Sequence, residues 1–283
     1  MISLGLIGYP LKHSLSPKIH ETALNYCGLK GNYSLFPIIP NDLPGLISLL
    51  DRIRTSEMAG LNVTIPHKQT VIPLLDQLTS AAQAIGAVNT IFMQNGKLTG
   101  DNTDASGFLA DLHKFLDMGT CGQEEGKNAL LLGAGGAARA VTYALVNDGW
   151  RVAVAARRPK QAHTLIAQFL DHDSRLTSIA FTAKAFQSII STQLLVINTT
   201  PVGMSPNTKN SPWPMSLPLP RQAAFYDLVY YPRNTKFILD AHAAGLRAST
   251  GLGMLVEQAA LAFEIWTEHD VPRELLFASV EEK

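Results

Sequence analysis

This sequence of 283 residues lacks long hydrophobic runs, a net charge and a set of cysteines that could form a disulfide framework. Lys and Arg together number 23, as do Asp and Glu, so the formal net charge is zero and a nucleic-acid or acidic-membrane partner is not indicated. No stretch approaches the roughly 18 uninterrupted apolar residues of a spanning helix. The two cysteines, Cys27 and Cys121, lie far apart along the chain.

The sequence also lacks the pattern of a signal peptide at the N-terminus and the histidine spacing of a zinc site. The first residues carry neither the charged segment nor the apolar stretch of a signal peptide. The eight histidines are scattered, without the spacing of a zinc site. We therefore expect a cytoplasmic protein without a metal, whose partners are small molecules and which acts as a monomer or a homodimer.

A glycine-rich turn near the middle of the chain is the most informative feature that is present. The apolar run 128–132 is typical of a buried parallel strand, and helical spacing follows from Ala137. Between them the backbone can approach a pyrophosphate closely and offer helix N-terminal amides to it. The residues predicted to do so are Gly133, Ala134, Gly135, Gly136 and Ala137. An ordinary strand–turn–helix is the plainer alternative.

A second apolar run, 152–156, ends at Ala156, where a dinucleotide-binding unit for NAD would carry Asp or Glu. Here Arg157 and Arg158 follow, and then Lys160. Solvated surface arginines are common, but at this position positive charge suits a ribose 2′-phosphate. The two runs together predict NADP as the cofactor and hydride transfer as the chemistry.

The remainder of the chain predicts an α/β fold. Strand-like and helical patterns alternate through the first hundred residues, and Asn95-Gly96 predicts a hairpin between 88–94 and 97–100. Ser16-Pro17 predicts the N-cap and first position of a helix. Strands near 194–198 and 224–228 continue a doubly wound pattern, and the proline-rich segment 205–220 predicts a surface loop.

Four polar segments at predicted strand ends suggest a pocket for a polyhydroxylated molecule, although Asn, Thr and Ser also cap helices and shape turns there. Oxidation of a secondary alcohol by hydride transfer also requires that the hydroxyl proton leave. A lysine held near a carboxylate in a partly dry cleft can accept or return that proton. Lys68 and Asp104 are the candidates, and an exposed salt bridge is the alternative. Gln258, on the apolar face of the last long helix pattern, needs a hydrogen-bond partner in the core or in a ligand.

Seven ordered motifs resemble those of the shikimate dehydrogenase family over essentially the whole length. They are Gly8-x-Pro10-x-x-His13-Ser14-x-Ser16-Pro17-x-x-His20, Asn62-Val-Thr64-x-Pro66-x-Lys68, Gly86-Ala-Val-Asn89-Thr90, Gly100-x-Asn102-Thr103-Asp104-x-x-Gly107, Asn198-x-Thr200-Pro201-x-Gly203-Met204, Asp227-Leu-Val-Tyr230-x-Pro232-x-x-Thr235 and Gly251-x-x-Met254-Leu-Val-x-Gln258. The sequence departs from the family pattern in two places. Glu21 stands where Asn is usual, and Ala156-Arg157-Arg158 replaces Asn-Arg-Thr.

The resemblance implies reversible, NADPH-dependent reduction of 3-dehydroshikimate to shikimate in aromatic amino-acid biosynthesis. It implies Lys68 as the proton-transferring residue with Asp104 as its partner. It further implies that Ser14, Ser16 and Tyr230 bind the substrate carboxylate, that Thr64, Asn89, Asp104 and Gln258 bind the ring hydroxyls, and that Leu228 and Gly251 lie near the nicotinamide. The implied domains are 1–104 completed by 251–283, which bind substrate, and a Rossmann-type NADP domain, 105–250.

Alternatives within and outside this class remain. A quinate or dual shikimate/quinate dehydrogenase using NAD is the nearest, and intact Ser14 and Ser16 with the basic pair favour shikimate. A non-catalytic nucleotide-sensing module would need neither Lys68 nor Asp104. A methylene-folate dehydrogenase has a similar cofactor domain, but the N-terminal segments do not support it.

Overall fold

The computed structural model describes residues 1–117, 126–169 and 174–281. The chain divides into two compact units, one formed by Met1–Gly107 with Leu255–Lys283 and the other by Phe108–Met254. These limits lie a few residues beyond those expected from the sequence. Cys27 is a free thiol, whereas Cys121 lies outside the described residues.

Strands and helices alternate along most of the chain. The strands are β1 (Ile2–Gly8), β2 (Gly31–Pro37), β3 (Gly60–Val63), β4 (Gln77–Leu78), β5 (Thr90–Gln94), β6 (Lys97–Asp101), β7 (Asn128–Leu132), β8 (Arg151–Ala156), β9 (Leu176–Ala180), β10 (Leu195–Asn198), β11 (Ala224–Asp227) and β12 (Ala248–Thr250). The helices are α1 (Ser16–Tyr26), α2 (Leu43–Arg54), α3 (Ser80–Ile85), α4 (Asp104–Asp117), α5 (Gly136–Asn147), α6 (Pro159–Ala167), α7 (Ala183–Gln187), α8 (Lys236–Ala243), α9 (Leu252–Thr267) and α10 (Arg273–Glu281).

The first unit contains a mixed sheet in the order β2-β1-β3-β5-β6-β4. Strand β1 is parallel to β2 and β3, whereas β5 runs antiparallel to both β3 and β6. Strand β4 is parallel to β6. Asn95 and Gly96 join β5 to β6 with φ angles of 52° and 74°, the left-handed pair that a two-residue hairpin turn requires. The predicted hairpin is thus confirmed, with β5 starting at Thr90.

The second unit contains a fully parallel sheet in the order β12-β11-β10-β7-β8-β9. From β7 the chain adds β8 and β9 on one side, and then β10, β11 and β12 on the other side. This is the doubly wound arrangement, in which the direction of the connections reverses between β7 and β10. Leu130, Leu131 and Ile197 on these central strands are fully buried, as expected for a sheet covered on both faces. The predicted α/β fold class is confirmed.

Several local predictions need correction. Ser16 is the first residue of α1 rather than its N-cap, and the cap position, Leu15, makes no side-chain capping bond. The short strands β4, β9 and β12 were not predicted. The segment 205–220 lacks helix and strand, but Trp213 within it is only 5 % exposed and packs against Phe186 and Phe225. This segment therefore contributes to the core as well as to the surface.

Residues 1–117, 126–169 and 174–281 contain neither a membrane-spanning helix nor a cluster of metal-binding side chains. Among them no helix has the length and apolar character needed to cross a bilayer. Nor do they contain a cluster of three or more His, Cys, Asp or Glu side chains that could hold a metal ion.

Candidate active site

A lysine–carboxylate pair lies at the centre of the polar cluster in the first unit. The Nζ atom of Lys68 donates to Oδ2 of Asp104 at 2.5 Å. The two side chains are 14 % and 6 % exposed, so this is not a solvated surface ion pair. The structure thus brings together the residue predicted to transfer a proton and its predicted carboxylate partner, although they lie far apart in sequence.

The position of Lys68 follows from the chain after β3. The backbone carbonyl of Lys68 accepts a hydrogen bond from Val88 N at 2.8 Å. His67, which is buried, contacts the Ile38 carbonyl through Nε2 at 2.7 Å. Both hydrogen bonds hold the loop that carries Lys68, so they fix the position of the backbone from which its side chain extends.

Asp104 is held by the start of helix α4. The Oδ1 atom of Asn102 accepts from Asp104 N at 3.1 Å, and Nδ2 of Asn102 donates to the Ala87 carbonyl. Asp104 is the first residue of the helix, where the helix dipole favours a negative charge. The sequence therefore places this carboxyl group at a helix N-terminus.

Asn89 connects this carboxylate with its surroundings. Its Nδ2 group donates to Oδ1 of Asp104 at 2.9 Å and to Oγ1 of Thr103 at 2.9 Å. Its Oδ1 atom accepts from Thr103 N at 2.8 Å and from Thr90 Oγ1 at 3.0 Å. Asn89 is only 2 % exposed, so these bonds replace water almost completely.

Gln258 reaches the same cluster from helix α9. Its Oε1 atom lies 3.3 Å from Asn89 Nδ2, and its backbone carbonyl accepts from Thr103 Oγ1 at 3.0 Å. Its Nε2 group donates to the Leu255 carbonyl. The buried glutamine is therefore satisfied by the core of the unit, and it lies beside the predicted ring-binding residues.

Ser14 lies on the loop after β1, Ser16 begins helix α1 at the end of that loop, and Thr64 follows β3. Ser16 N donates to Oγ of Ser14 at 3.3 Å, so these two residues are neighbours. Thr64 N donates to the Ile7 carbonyl at 2.8 Å, and the methyl group of Thr64 lies close to Gly8. Because β1 and β3 are parallel neighbours, both loops leave the same edge of the sheet.

The glycine-rich turn in the second unit joins β7 to α5. Gly133 adopts a φ of 116°, and a Cβ atom there would lie 2.6 Å from Thr199 Oγ1. Gly135 differs, because it is exposed and a Cβ there would meet nothing within 4 Å. Open space at Gly135 and the N-terminus of α5 suit an anionic group. That Gly133, Ala134, Gly135, Gly136 and Ala137 bind a pyrophosphate stays a prediction.

The basic cluster predicted to contact the 2′-phosphate follows strand β8. Ala156, the last residue of the strand, is 5 % exposed, whereas Arg157, Arg158 and Lys160 are exposed. Strand β8 pairs with β7, so the end that carries the arginines lies beside the strand that leads into the glycine turn. The donor set in this unit fits a dinucleotide with an additional phosphate.

The remaining predicted residues also belong to the second unit. Leu228 follows β11, and a Cβ atom at Gly251 would lie 2.4 Å from the Leu228 carbonyl oxygen, so these two residues are in close contact. Burial raises the pKa of the Tyr230 hydroxyl above its ordinary value, which keeps the group a neutral hydrogen-bond donor.

Sequence reasoning assigned no role to several residues that the structure places in the cluster around Asp104. Asn62 donates to the Asn89 carbonyl and accepts from the Tyr33 hydroxyl at 2.9 Å. Thr90 and Thr103 complete the bonds of Asn89. Their motif positions at strand ends were visible in the sequence, but mutual contact among residues so far apart was not.

The doubly wound sheet with its glycine turn, and the buried Lys68–Asp104 pair, define a nucleotide-dependent oxidoreductase. Family models for the substrate binding domain of shikimate dehydrogenase and for the C-terminal domain of shikimate 5′-dehydrogenase match residues 6–91 and 251–276. A shikimate dehydrogenase (NADP(+)) of Salinibacter ruber is 41 % identical over 277 residues, which cover 96 % of this chain and 94 % of the relative. The chain belongs to the shikimate dehydrogenase family.

Solved structures agree with this assignment. Shikimate 5-dehydrogenase from Thermus thermophilus, in complex with NADP(H) and shikimate, is 36 % identical, with a TM-score of 0.84 and 99 % coverage of both chains. Quinate dehydrogenase from Corynebacterium glutamicum, in complex with NAD, is 29 % identical over 100 % of this chain and 99 % of that one, with a TM-score of 0.87. The fold is shared with both, and the higher sequence identity favours shikimate dehydrogenase over the quinate alternative.

Proposed function

We propose that this chain catalyses the reversible, NADPH-dependent reduction of 3-dehydroshikimate to shikimate, with Lys68 as proton donor and acceptor. The observation that carries the proposal is the 2.5 Å contact between Lys68 Nζ and Asp104 Oδ2 in a largely buried polar cluster. NADPH, when bound, supplies the hydride to the carbonyl carbon. The ammonium group of Lys68 supplies the proton to the carbonyl oxygen, and solvent returns that proton to the amine.

Asp104 has two functions in this scheme. Its carboxylate orients the Lys68 ammonium group, and the Asn89 amide in turn fixes the carboxylate. In the reverse direction the carboxylate stabilises the positive charge that Lys68 gains from the substrate hydroxyl. Asn89, Thr64 and Gln258 bind the ring hydroxyls together with Asp104, while Ser14, Ser16 and Tyr230 hold the substrate carboxylate.

The cofactor is held by the second unit. The turn from Gly133 to Ala137 cradles the pyrophosphate, and Ala156, Arg157, Arg158 and Lys160 surround the 2′-phosphate. Leu228 and Gly251 contact the nicotinamide. Residues 1–104 with 251–283 then form the substrate-binding domain and 105–250 the NADP-binding domain. We propose a cytoplasmic location, which suits an NADPH-consuming biosynthetic step, and a monomer or homodimer whose partners are small molecules.

The test of the proton-transfer role compares Lys68→Ala and Lys68→Arg with the wild type. Arginine keeps the positive charge beside Asp104 but does not release a proton near neutral pH. We expect both variants to lose about 10²- to 10⁴-fold in kcat. Lys97→Ala, at an exposed lysine of the same unit, serves as the control. The assay follows absorbance of the reduced nicotinamide, with shikimate and quinate crossed against NADP and NAD. Wild-type turnover in Lys68→Arg would refute the role of Lys68.

A further inference from the structure

The ends of strands β10 and β11 carry a polar network that the proton-transfer scheme does not use. Asn198 and Asp227 are the last residues of the two strands, and they are register partners in the parallel pair. Their side chains are fully buried and joined by a hydrogen bond of 2.8 Å from Asn198 Nδ2 to Asp227 Oδ1. This bond links two loops that begin at the carboxyl edge of the sheet.

Asp227 organises the loop after β11. Its Oδ1 atom also accepts from Val229 N at 3.0 Å, and its Oδ2 atom accepts from Thr235 Oγ1 at 2.6 Å. Thr235 is fully buried and caps helix α8 by accepting from Ile238 N. One carboxylate therefore ties the start of the loop to the start of the next helix.

Asn198 organises the loop after β10 in the same way. Its Oδ1 atom accepts from Thr200 N at 2.9 Å and from Thr200 Oγ1 at 2.7 Å, while Nδ2 donates to the Val202 carbonyl. Its backbone carbonyl accepts from Leu228 N at 2.9 Å. The two loops are thus held together by side chains and by the backbone.

Burial of a carboxylate removes a charged group from water, which costs free energy that its hydrogen bonds must offset. Burial raises the pKa of Asp227 to about 6, against the opposing effect of the hydrogen bonds from Thr235, Val229 and Asn198. Buried ionic groups are weak evidence for a stabilising role, since well-packed apolar residues in place of a buried ion pair often leave stability unchanged or increase it. The network therefore fits a requirement for one particular loop geometry better than a requirement for stability.

The geometry points to Asp227 as a positioning residue for nucleotide and substrate binding. This inference rests on the proposed function, because the loop that Asp227 fixes carries Leu228 and Tyr230, which we assign to the nicotinamide and the substrate carboxylate. The carboxylate anchors Val229 N, between these two residues. Asp227 acts through the loop and takes no part in proton transfer.

The first test is Asp227→Asn, which keeps the volume and removes the charge. NADPH binding is measured by fluorescence titration without substrate, and steady-state kinetics give kcat and the KM for shikimate. We expect the Kd for NADPH and the KM for shikimate each to rise about tenfold, and kcat to fall by less than about threefold. A lowered Tm with the Kd and KM within about twofold of wild type would indicate a purely structural role and overturn the inference.

The second test uses Thr235, in case Asp227→Asn does not fold. Thr235→Val removes the hydroxyl that donates to Asp227, whereas Thr235→Ser retains it. Both variants are compared with Thr182→Val, at an exposed position of the same unit. This substitution removes the hydroxyl that caps helix α7 by accepting a hydrogen bond from Ala185 N. We expect weaker NADPH binding in Thr235→Val, and wild-type binding in Thr235→Ser and Thr182→Val. Equal NADPH affinity in Thr235→Val and Thr182→Val would contradict the inference.

Failure of this inference is distinguishable from failure of the proposed function. The wild-type protein's binding of NADPH and turnover of shikimate test the function. The ratio of variant to wild-type Kd tests Asp227, and that ratio does not depend on which residue transfers the proton.

Discussion

At the scale of single residues, burial decides which titratable groups stay charged. His20 is fully buried, stacks on Tyr33 with ring centroids 4.3 Å apart and lies against Trp266. Burial lowers the pKa of its imidazole to about 3, with a smaller opposing effect from Asn62. His20 is therefore a neutral core residue beside Asn62, which itself bonds to the Asn89 carbonyl.

The low pKa of His20 makes folding sensitive to acid. Between pH 6.5 and about 3 the unfolded chain binds a proton at this histidine and the folded chain does not, so the free energy of unfolding falls as the pH falls through this window. The contribution is at most roughly 5 kcal/mol. We expect His20→Phe to lose stability less steeply than the wild type below pH 6.5, measured by urea unfolding at several pH values. The exposed His163→Phe serves as the control. Equal slopes for wild type and His20→Phe would contradict this prediction.

At the scale of secondary-structure elements, strong patterns were predictable and weak ones were not. Strands β7 and β8 are apolar after their first residues, Asn128 and Arg151, and Asn95-Gly96 is a specific turn signal, so all three features were identified. Strand β4 has only two residues, and it forms because it pairs with β6, which no local pattern encodes. Trp213 enters the core through contacts with Phe186 and Phe225, which override the loop-like composition around it.

In the candidate active site, too, some features were predictable from the sequence and others were not. The types and order of Lys68, Asp104 and Asn89 were visible in the sequence, because their motifs are specific. The Asn89 hydrogen bonds to Asp104 and Thr103 depend on how β5 and α4 meet in space, and this was not visible. The Asn198–Asp227 bond was missed for the same reason, since only the pairing of β10 with β11 aligns the two residues.

We expect substitutions at Gly133 and at Gly135, in the turn before α5, to cause different defects. A methyl group at Gly133 would collide with Thr199 and demand a positive φ, whereas one at Gly135 would meet open space at a φ of −90°. We expect Gly133→Ala to lose about 1–3 kcal/mol of stability. Gly135→Ala should keep wild-type stability and bind NADPH at least about tenfold more weakly, because its methyl group occupies the space of the pyrophosphate.

Thermal unfolding and NADPH titration of the two variants separate these effects. Gly96→Ala, in the hairpin of the other unit, is a further control for loss of a left-handed glycine. Unchanged NADPH affinity in Gly135→Ala would show that the pyrophosphate does not lie against this turn.

At the scale of the whole molecule, the formal net charge is zero, so we expect the preference for NADP or NAD to depend on residues close to the nucleotide. Positive and negative residues number 23 each, so no overall field attracts one phosphorylated nucleotide over another. We therefore expect discrimination between NADP and NAD to come from the cluster that follows β8. Arg157 and Arg158 are exposed and available to a 2′-phosphate.

We expect the double variant Arg157→Ala/Arg158→Ala to lose about 10- to 100-fold in kcat/KM with NADP, because charge-assisted hydrogen bonds are lost. Its kcat/KM with NAD should change little. Arg151→Ala removes an exposed arginine from the opposite end of the same strand and should leave both values unchanged. A wild-type protein with higher kcat/KM for NAD, or a double variant that loses equally with both nucleotides, would overturn the assignment of NADP.

The first unit is assembled from both ends of the chain, and this governs how the protein is made. Helix α1 packs against α10, and Trp266 Nε1 donates to the Ile91 carbonyl, so the N-terminal part of the first unit packs against helices that follow the second unit in the sequence. During synthesis, the ribosome must extend the whole contiguous second unit before the missing helices emerge. The nascent chain can therefore fold its contiguous second unit before the first unit is complete, and we expect the polar cluster around Asp104 to form only once Gln258 has emerged.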